Sequence, residues 1–195
     1  MKKNLVTAIL MTIATTFLLG IVYPLVVTGL AQVLFRNKAN GQLIQVNGKL
    51  IGSRIIGQAF SAPEYFHSRP SSAGTGYDAT ASNGSQLGPT NHLLIDRVKG
   101  DVAVAQPDNS GMLVPVDLVT ASASGLDPEI SPAAAVFQLP RVAKARAIDV
   151  EILRQLLADH TKSRQFGVLG EPRVNVLDLN LALDRLSPLI RKAGK

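Results

Sequence analysis

LVTAILMTIATTFLLGIVYPLVVTGLAQVLF, residues 5–35, contains no charged side chain, and reading it decides the architecture of the whole chain. As a helix at about 1.5 Å per residue it spans roughly 46 Å, more than the roughly 30 Å hydrocarbon core of a bilayer. A helix that is apolar on every side has no face to turn to water, so a single transmembrane helix over about 5–35 is expected. The competing reading is a cleaved signal peptide, since Lys2 and Lys3 form an n-region and Gly29-Leu30-Ala31 resembles a cleavage site. The apolar core of such a peptide runs only about 7–15 residues, far shorter than this one. Lys2 and Lys3 favour a cytoplasmic amino terminus by the positive-inside rule, which puts the large carboxyl-terminal part outside. Arg36 and Lys38 beyond the span weaken that bias without reversing it.

The span also has a face. Ala8, Thr12, Thr16 and Gly20 recur every fourth residue, and Pro24 and Thr28 continue the spacing. Small side chains at that spacing let a second helix approach closely in lipid, so these four residues are candidates for contact with a membrane partner.

Working outward, residues 1–38 form a tail and span, and residues 39–195 a single mixed α+β or α/β domain. The net charge of +6 divides into +4 over residues 1–38, −1 over 39–183 and +3 over 184–195. The folded middle is therefore near neutral and offers no basic face to phosphates, which excludes a nucleic-acid binder. Cysteine is absent, which removes disulfides, thiolate metal sites and thiol nucleophiles.

Within the domain, Asn47-Gly48 between Leu43–Val46 and Lys49–Ile51 predicts a two-residue hairpin, with residues 54–60 continuing the sheet. Ser131-Pro132 predicts a helix start, Pro140 its end or a kink, and Arg141–Arg146 a resumption. Asp149 predicts a cap for a helix burying Val150, Leu153, Leu156 and Leu157. Leu169-Gly170-Glu171-Pro172 predicts a turn, 173–177 a strand and 179–186 a final helix.

The Gly/Ser-rich loop at about 67–91 contains SSAGTGYDATASNGSQLGPTN, residues 71–91. No Gly-Lys-Ser/Thr completes a phosphate loop, and Gly74-Thr75-Gly76 lacks the third glycine of a dinucleotide fingerprint. Thr75-Gly76-Tyr77-Asp78 resembles a potassium-channel filter, but a filter needs four such loops at membrane depth. His67, His92 and His160 are too scattered for a zinc site, and no Gly-x-Ser-x-Gly elbow appears. An envelope hydrolase assembled in space from loop serines remains the alternative function. Ordering such a loop costs about 1–2 kcal/mol per residue, while burying Tyr77 and Leu87 returns only about 1.5–3 kcal/mol each. The loop therefore stays mobile, or it packs on the domain or on a partner. Arg69, Tyr77, Asn83, Leu87 and Asn91 are the residues a plain spacer does not need, and they are its candidate contact residues.

Several of these segments together resemble the C subunit of the Kdp-type potassium-transporting ATPase, over the whole chain. They include Arg69-Pro70-Ser71, Leu87-Gly88-Pro89-Thr90-Asn91 and the run Asp117-Leu118-Val119-Thr120-Ala121-Ser122. They continue with Ser124-Gly125-Leu126-Asp127-Pro128, Arg141-Val142-Ala143-Lys144-Ala145-Arg146 and Leu169-Gly170-Glu171-Pro172-Arg173-Val174-Asn175-Val176. Ser82-Asn83-Gly84-Ser85-Gln86 departs from the family's usual Ser-Gly-Gly-Ser-Asn. The resemblance implies a non-catalytic accessory subunit of a high-affinity potassium uptake complex in the bacterial inner membrane. It implies three partners: a channel-like potassium-binding subunit, a P-type ATPase subunit and a small membrane peptide. It also implies a catalytic chaperone role that raises the pump subunit's affinity for ATP. With the domain outside, that effect is indirect, and ATP and potassium are handled by the complex.

Overall fold

The computed structural model describes residues 2–188. The chain divides into two compact units, the first ending at Ile51 and the second beginning at Gly52.

In the first unit, helix α1 (Lys2–Phe17), a π-helical turn (Leu18–Val22) and helix α2 (Tyr23–Leu34) follow without a break. Together they make 33 helical residues, Lys2–Leu34, whose most apolar 18-residue stretch has a mean hydropathy of 2.3, long and apolar enough to cross a membrane. None of their side chains is buried by protein. The widened turn has a local cause. Pro24 has no N–H to give, and the Tyr23 N–H reaches back to the Leu18 carbonyl, five residues away. After a short helix α3 (Arg36–Ala39) come strands β1 (Leu43–Val46) and β2 (Lys49–Ser53). Asn47 and Gly48 both take positive φ, at 52° and 75°, the mirror-image turn that matches the twist of a hairpin.

The second unit packs three helices against a small antiparallel sheet of order β3-β5-β4: β3 (Glu129–Ile130), β5 (Arg173–Asn175) and β4 (Thr161–Lys162). The register pairs Ile130 with Val174 and Thr161 with Val174. Helix α5 (Pro132–Arg146) starts where the Ser131 hydroxyl accepts from the Ala134 N–H at 3.1 Å, and ends at Ala147 in the left-handed conformation. Asp149 caps α6 (Val150–His160) through the Glu151 N–H, and Asn175 caps α7 (Val176–Leu186) through the Asp178 N–H. Ile130, Leu139, Val142, Leu153, Leu157, Val174, Leu179 and Leu183 form the core, with Val150 and Leu156 packed at its edge.

Three details differ from the sequence expectations, and a fourth, at Pro140, narrows one of them, since the helix does not end there. Residues 54–60 leave the sheet in turns and irregular backbone, with the Gly57 N–H bonded to the Leu126 carbonyl. Helix α5 continues through Pro140. An interior proline costs about 3 kcal/mol. Burial of Leu139 and Val142 on either side offsets it at about 1.5–3 kcal/mol each. The strand expected over 173–177 stops at Asn175, because that side chain caps a helix that begins three residues earlier than expected. A further helix, α4 (His92–Ala105), has Asn91 as its cap.

Residues 63–67 cross the helices as an irregular strap that is buried at Phe66 and partly exposed on either side. Phe66 is fully buried, and the Asn180 side-chain amide both accepts from its N–H and donates to its carbonyl, each at 2.9 Å. The Gln138 amide treats His67 the same way, accepting at 2.7 Å and donating at 3.2 Å. Arg141 donates to the Pro63 and Tyr65 carbonyls, and Arg146 to the Glu64 and Ser187 carbonyls and to Asp184. Two helices thus serve this strap as a sheet neighbour would, which is how an irregular backbone can be buried with its polar groups satisfied.

Candidate functional site

The small polar stretch after the strap is docked on its own domain. The Ser71 hydroxyl donates to the Gly125 carbonyl at 2.6 Å and accepts from the Ala73 and Tyr77 N–H groups. The Ser82 hydroxyl donates to the Ser124 carbonyl at 2.9 Å, which also accepts the Asn83 N–H at 3.0 Å. Ala73 is fully buried against Gly125. A Cβ on Gly125 would stand 2.6 Å from both the Ala73 nitrogen and the Asn83 oxygen, and the glycine's φ is +67°, so only glycine fits there. Of the outcomes open to the loop, packing on the domain holds for residues 71–83.

The candidate residues divide by what their polar groups already do. Arg69 pairs with Asp127 at 2.9 Å and donates to the Thr120 carbonyl and hydroxyl. The half-buried Tyr77 donates its hydroxyl to the Arg69 carbonyl at 2.6 Å, and burial pushes its pKa above the ordinary tyrosine value. Asn91 accepts the Leu93 N–H as the cap of α4. These three fix the shape of the loop rather than present free groups. Asn83 accepts from the Gln86 side chain on the exposed side, and Leu87 is half-buried. Ala8, Thr12, Thr16 and Gly20 are all exposed on the first unit's helix, where Thr12 bonds back to the Ala8 carbonyl. Gly20 meets nothing closer than the Thr16 methyl at 3.8 Å.

Between the loop and α4 lies an open cleft of about 570 Å³, bordered by Phe60, His67, Arg69, Tyr77, Asp101 and Gln138. The His67 ring contacts the Ala62 carbonyl at 3.0 Å. Burial, and then the Arg141 guanidinium, hold its pKa below the ordinary histidine value. Its ring and the hydroxyls of Ser71 and Ser82 are thus engaged with main-chain carbonyls, not with one another, so neither of these two serines is hydrogen-bonded to a base. Among the described residues no group of three or more His, Cys, Asp or Glu side chains could hold a metal.

The strap's clamps, Gln138, Arg141, Arg146 and Asn180, are not among the residues singled out from the sequence. The available signal was Gln138 set between Phe137 and Leu139 in an apolar run, where an unpartnered amide would be costly.

The family model described as "K+-transporting ATPase, c chain" matches residues 5–185. This chain belongs to that family. A relative named potassium-transporting ATPase KdpC subunit, from Koribacter versatilis, is 62% identical over 189 residues, covering 97% of this chain and 98% of the relative. Proteins of the same name are 58% identical in Acidobacterium capsulatum, over 94% of this chain and 99% of theirs, and 53% identical in Mycobacterium tuberculosis, over 95% and 100%. The C-chain match covers both the apolar helix and the domain, so the docked loop and the strap belong to the part of the chain shared with the family.

Proposed function

We propose that this chain is a membrane-anchored, non-catalytic accessory subunit that assembles and stabilises a potassium-transporting ATPase. The observation that carries the reading is the family match over residues 5–185, which takes in the apolar helix and the domain together. Lys2–Leu34 is the anchor, with the amino terminus in the cytoplasm and the domain outside. The face of Ala8, Thr12, Thr16 and Gly20 packs against a partner's membrane helix. The docked loop presents Asn83 and Leu87 to the channel-like subunit, with Arg69, Tyr77 and Asn91 holding its shape. The P-type subunit carries the phosphorylation, and a small membrane peptide completes the complex. Any rise in ATP affinity passes through the partners, because a domain outside the cell does not meet cytosolic nucleotide; such coupling requires that the chain favour one arrangement of the complex.

The absence of cysteine makes a direct test available. Ser82→Cys in intact cells should react with a membrane-impermeant maleimide; protection there and at a second exposed domain position would reverse the topology. For the interface, Thr16→Leu with Gly20→Leu should cut co-purification of partner subunits. A Cβ on Gly20 would meet only the Thr16 methyl, at an ordinary contact distance of 3.8 Å, so the pair tests the partner rather than the helix itself. Undiminished co-purification would remove this face from the interface. The anchored hydrolase is the alternative, and it predicts turnover of esters or peptides that Ala substitution across residues 82–85 abolishes.

A further inference from the structure

The segment between β4 and β5 ends in a tip where exposed apolar side chains stand together on a hydrogen-bonded turn. Gln165 and Leu169 face each other across an antiparallel bridge, their main-chain bonds 2.8 and 2.9 Å long, and the Gly167 N–H closes the turn on the Arg164 carbonyl. The tip is therefore a fixed turn, and its apolar side chains point away from the protein: Phe166 is 88% exposed, Val168 74% and Leu169 55%. Phe166 also takes φ +54°, a conformation that bulky residues rarely adopt. An aromatic side chain held out in water on strained backbone gains nothing for the fold.

We infer that this tip, Phe166–Leu169, is a shallow membrane-interface anchor that dips into a lipid surface. The inference rests on the reading of Lys2–Leu34 as a membrane anchor. The chain between Leu34 and Gly52 reaches at most about 60 Å even when fully extended, so the domain is tethered to whatever surface the span occupies. Three side chains offer a few hundred Å² of apolar area, whereas a specific protein interface needs about 1,000 Å² or more. A tip already tethered to the bilayer needs no such area, because its insertion is effectively intramolecular. An aromatic ring flanked by aliphatics suits the headgroup boundary. The charge around the tip also fits anionic lipid. Arg164 is paired with Glu171 and Arg173 with Glu129, while Lys162 has no ion pair among the described residues and leaves the edge positive.

The test uses the full-length chain alone in nanodiscs of phosphatidylcholine and phosphatidylglycerol, which leave both membrane faces open to solvent. A fluorophore sensitive to water is attached at Val168→Cys, or at Thr80→Cys as an exposed control, and quenched with acrylamide. We expect quenching at position 168 to be about fivefold weaker than at position 80, and Phe166→Asp to restore it. Equal quenching at the two positions overturns the proposal. So does shielding of position 168 that appears only when the pump subunits are added, which would assign the tip to a protein partner. If the chain fails to co-elute with nanodiscs, the anchor reading falls and the tip proposal with it; co-elution with a fully quenched tip sinks the tip proposal alone.

Discussion

The strap at 63–67 and the loop at 71–83 are neighbours in sequence, and both are irregular backbone, yet they are held by opposite means. The strap is buried at Phe66, and its carbonyls and N–H groups are met by long polar side chains reaching from α5 and α7. The loop lies at the surface and is held by its own short hydroxyls and by main-chain carbonyls of residues 124 and 125. Loss of a clamp in the strap leaves a polar group in the core where no water can replace it. Loss of a hydroxyl in the loop leaves a group that water can reach. The strap should therefore govern whether the domain folds, and the loop how sharply one surface of it is defined.

The strongest challenge to that contrast is Asn180→Leu, which orphans both main-chain groups of the buried Phe66. It should cost roughly 2–5 kcal/mol, read as a fall in the urea midpoint with an unchanged slope. A cost below about 1 kcal/mol would erase the distinction between the two regions. Gly125→Ala should come next, at roughly 2–3 kcal/mol, because the added carbon collides with main chain on two sides and the residue sits in the left-handed region. Amide exchange should then quicken across residues 71–83 and stay slow at Phe66. Ser71→Ala removes one donor and one acceptor near the surface and should cost only about 1–2 kcal/mol, by thermal unfolding.

The smallest effect concerns acidity. His67 lies at the end of the strap, and burial with Arg141 nearby lowers its pKa from 6.5, so the unfolded chain binds its proton more readily than the folded one. Its contribution is therefore complete above pH 6.5 and declines as the pH falls below that value. His67→Gln should flatten the acid side of the stability profile between the two pKa values, and a profile of unchanged slope would show that the ring titrates alike in both states.

Much of this architecture is legible in the sequence because it is written in local signals. The apolar run, the Asn47-Gly48 turn, the Ser131 and Asp149 caps and the face of Leu153 and Leu157 each depend on residues close in the chain. Local signals fail where a residue has two uses. Asn175 lies in a strand pattern and also caps α7, so the strand was read too long. Asn91 stood out as a contact residue but caps α4, whose Gly100 and β-branched residues weaken the helical pattern. The loop was open between mobility and packing because the carbonyls that order it come from residues 124 and 125, well beyond any local window. The clamps were invisible for the same reason. An amide at position 180 cannot be matched to Phe66 without the fold that brings them together.

That matching has a consequence for how the domain forms. Two paired strands can slide and still find hydrogen bonds, but Asn180 and Gln138 each occupy one point on a helix, so the strap has a single register in which it can close. Its partners lie 114 and 71 residues away in the chain, so closure must wait until α5 and α7 have already met. The strap is thus expected to act as the latch of the folding reaction: if it joins last, mutations in its clamps should hasten unfolding far more than they slow folding.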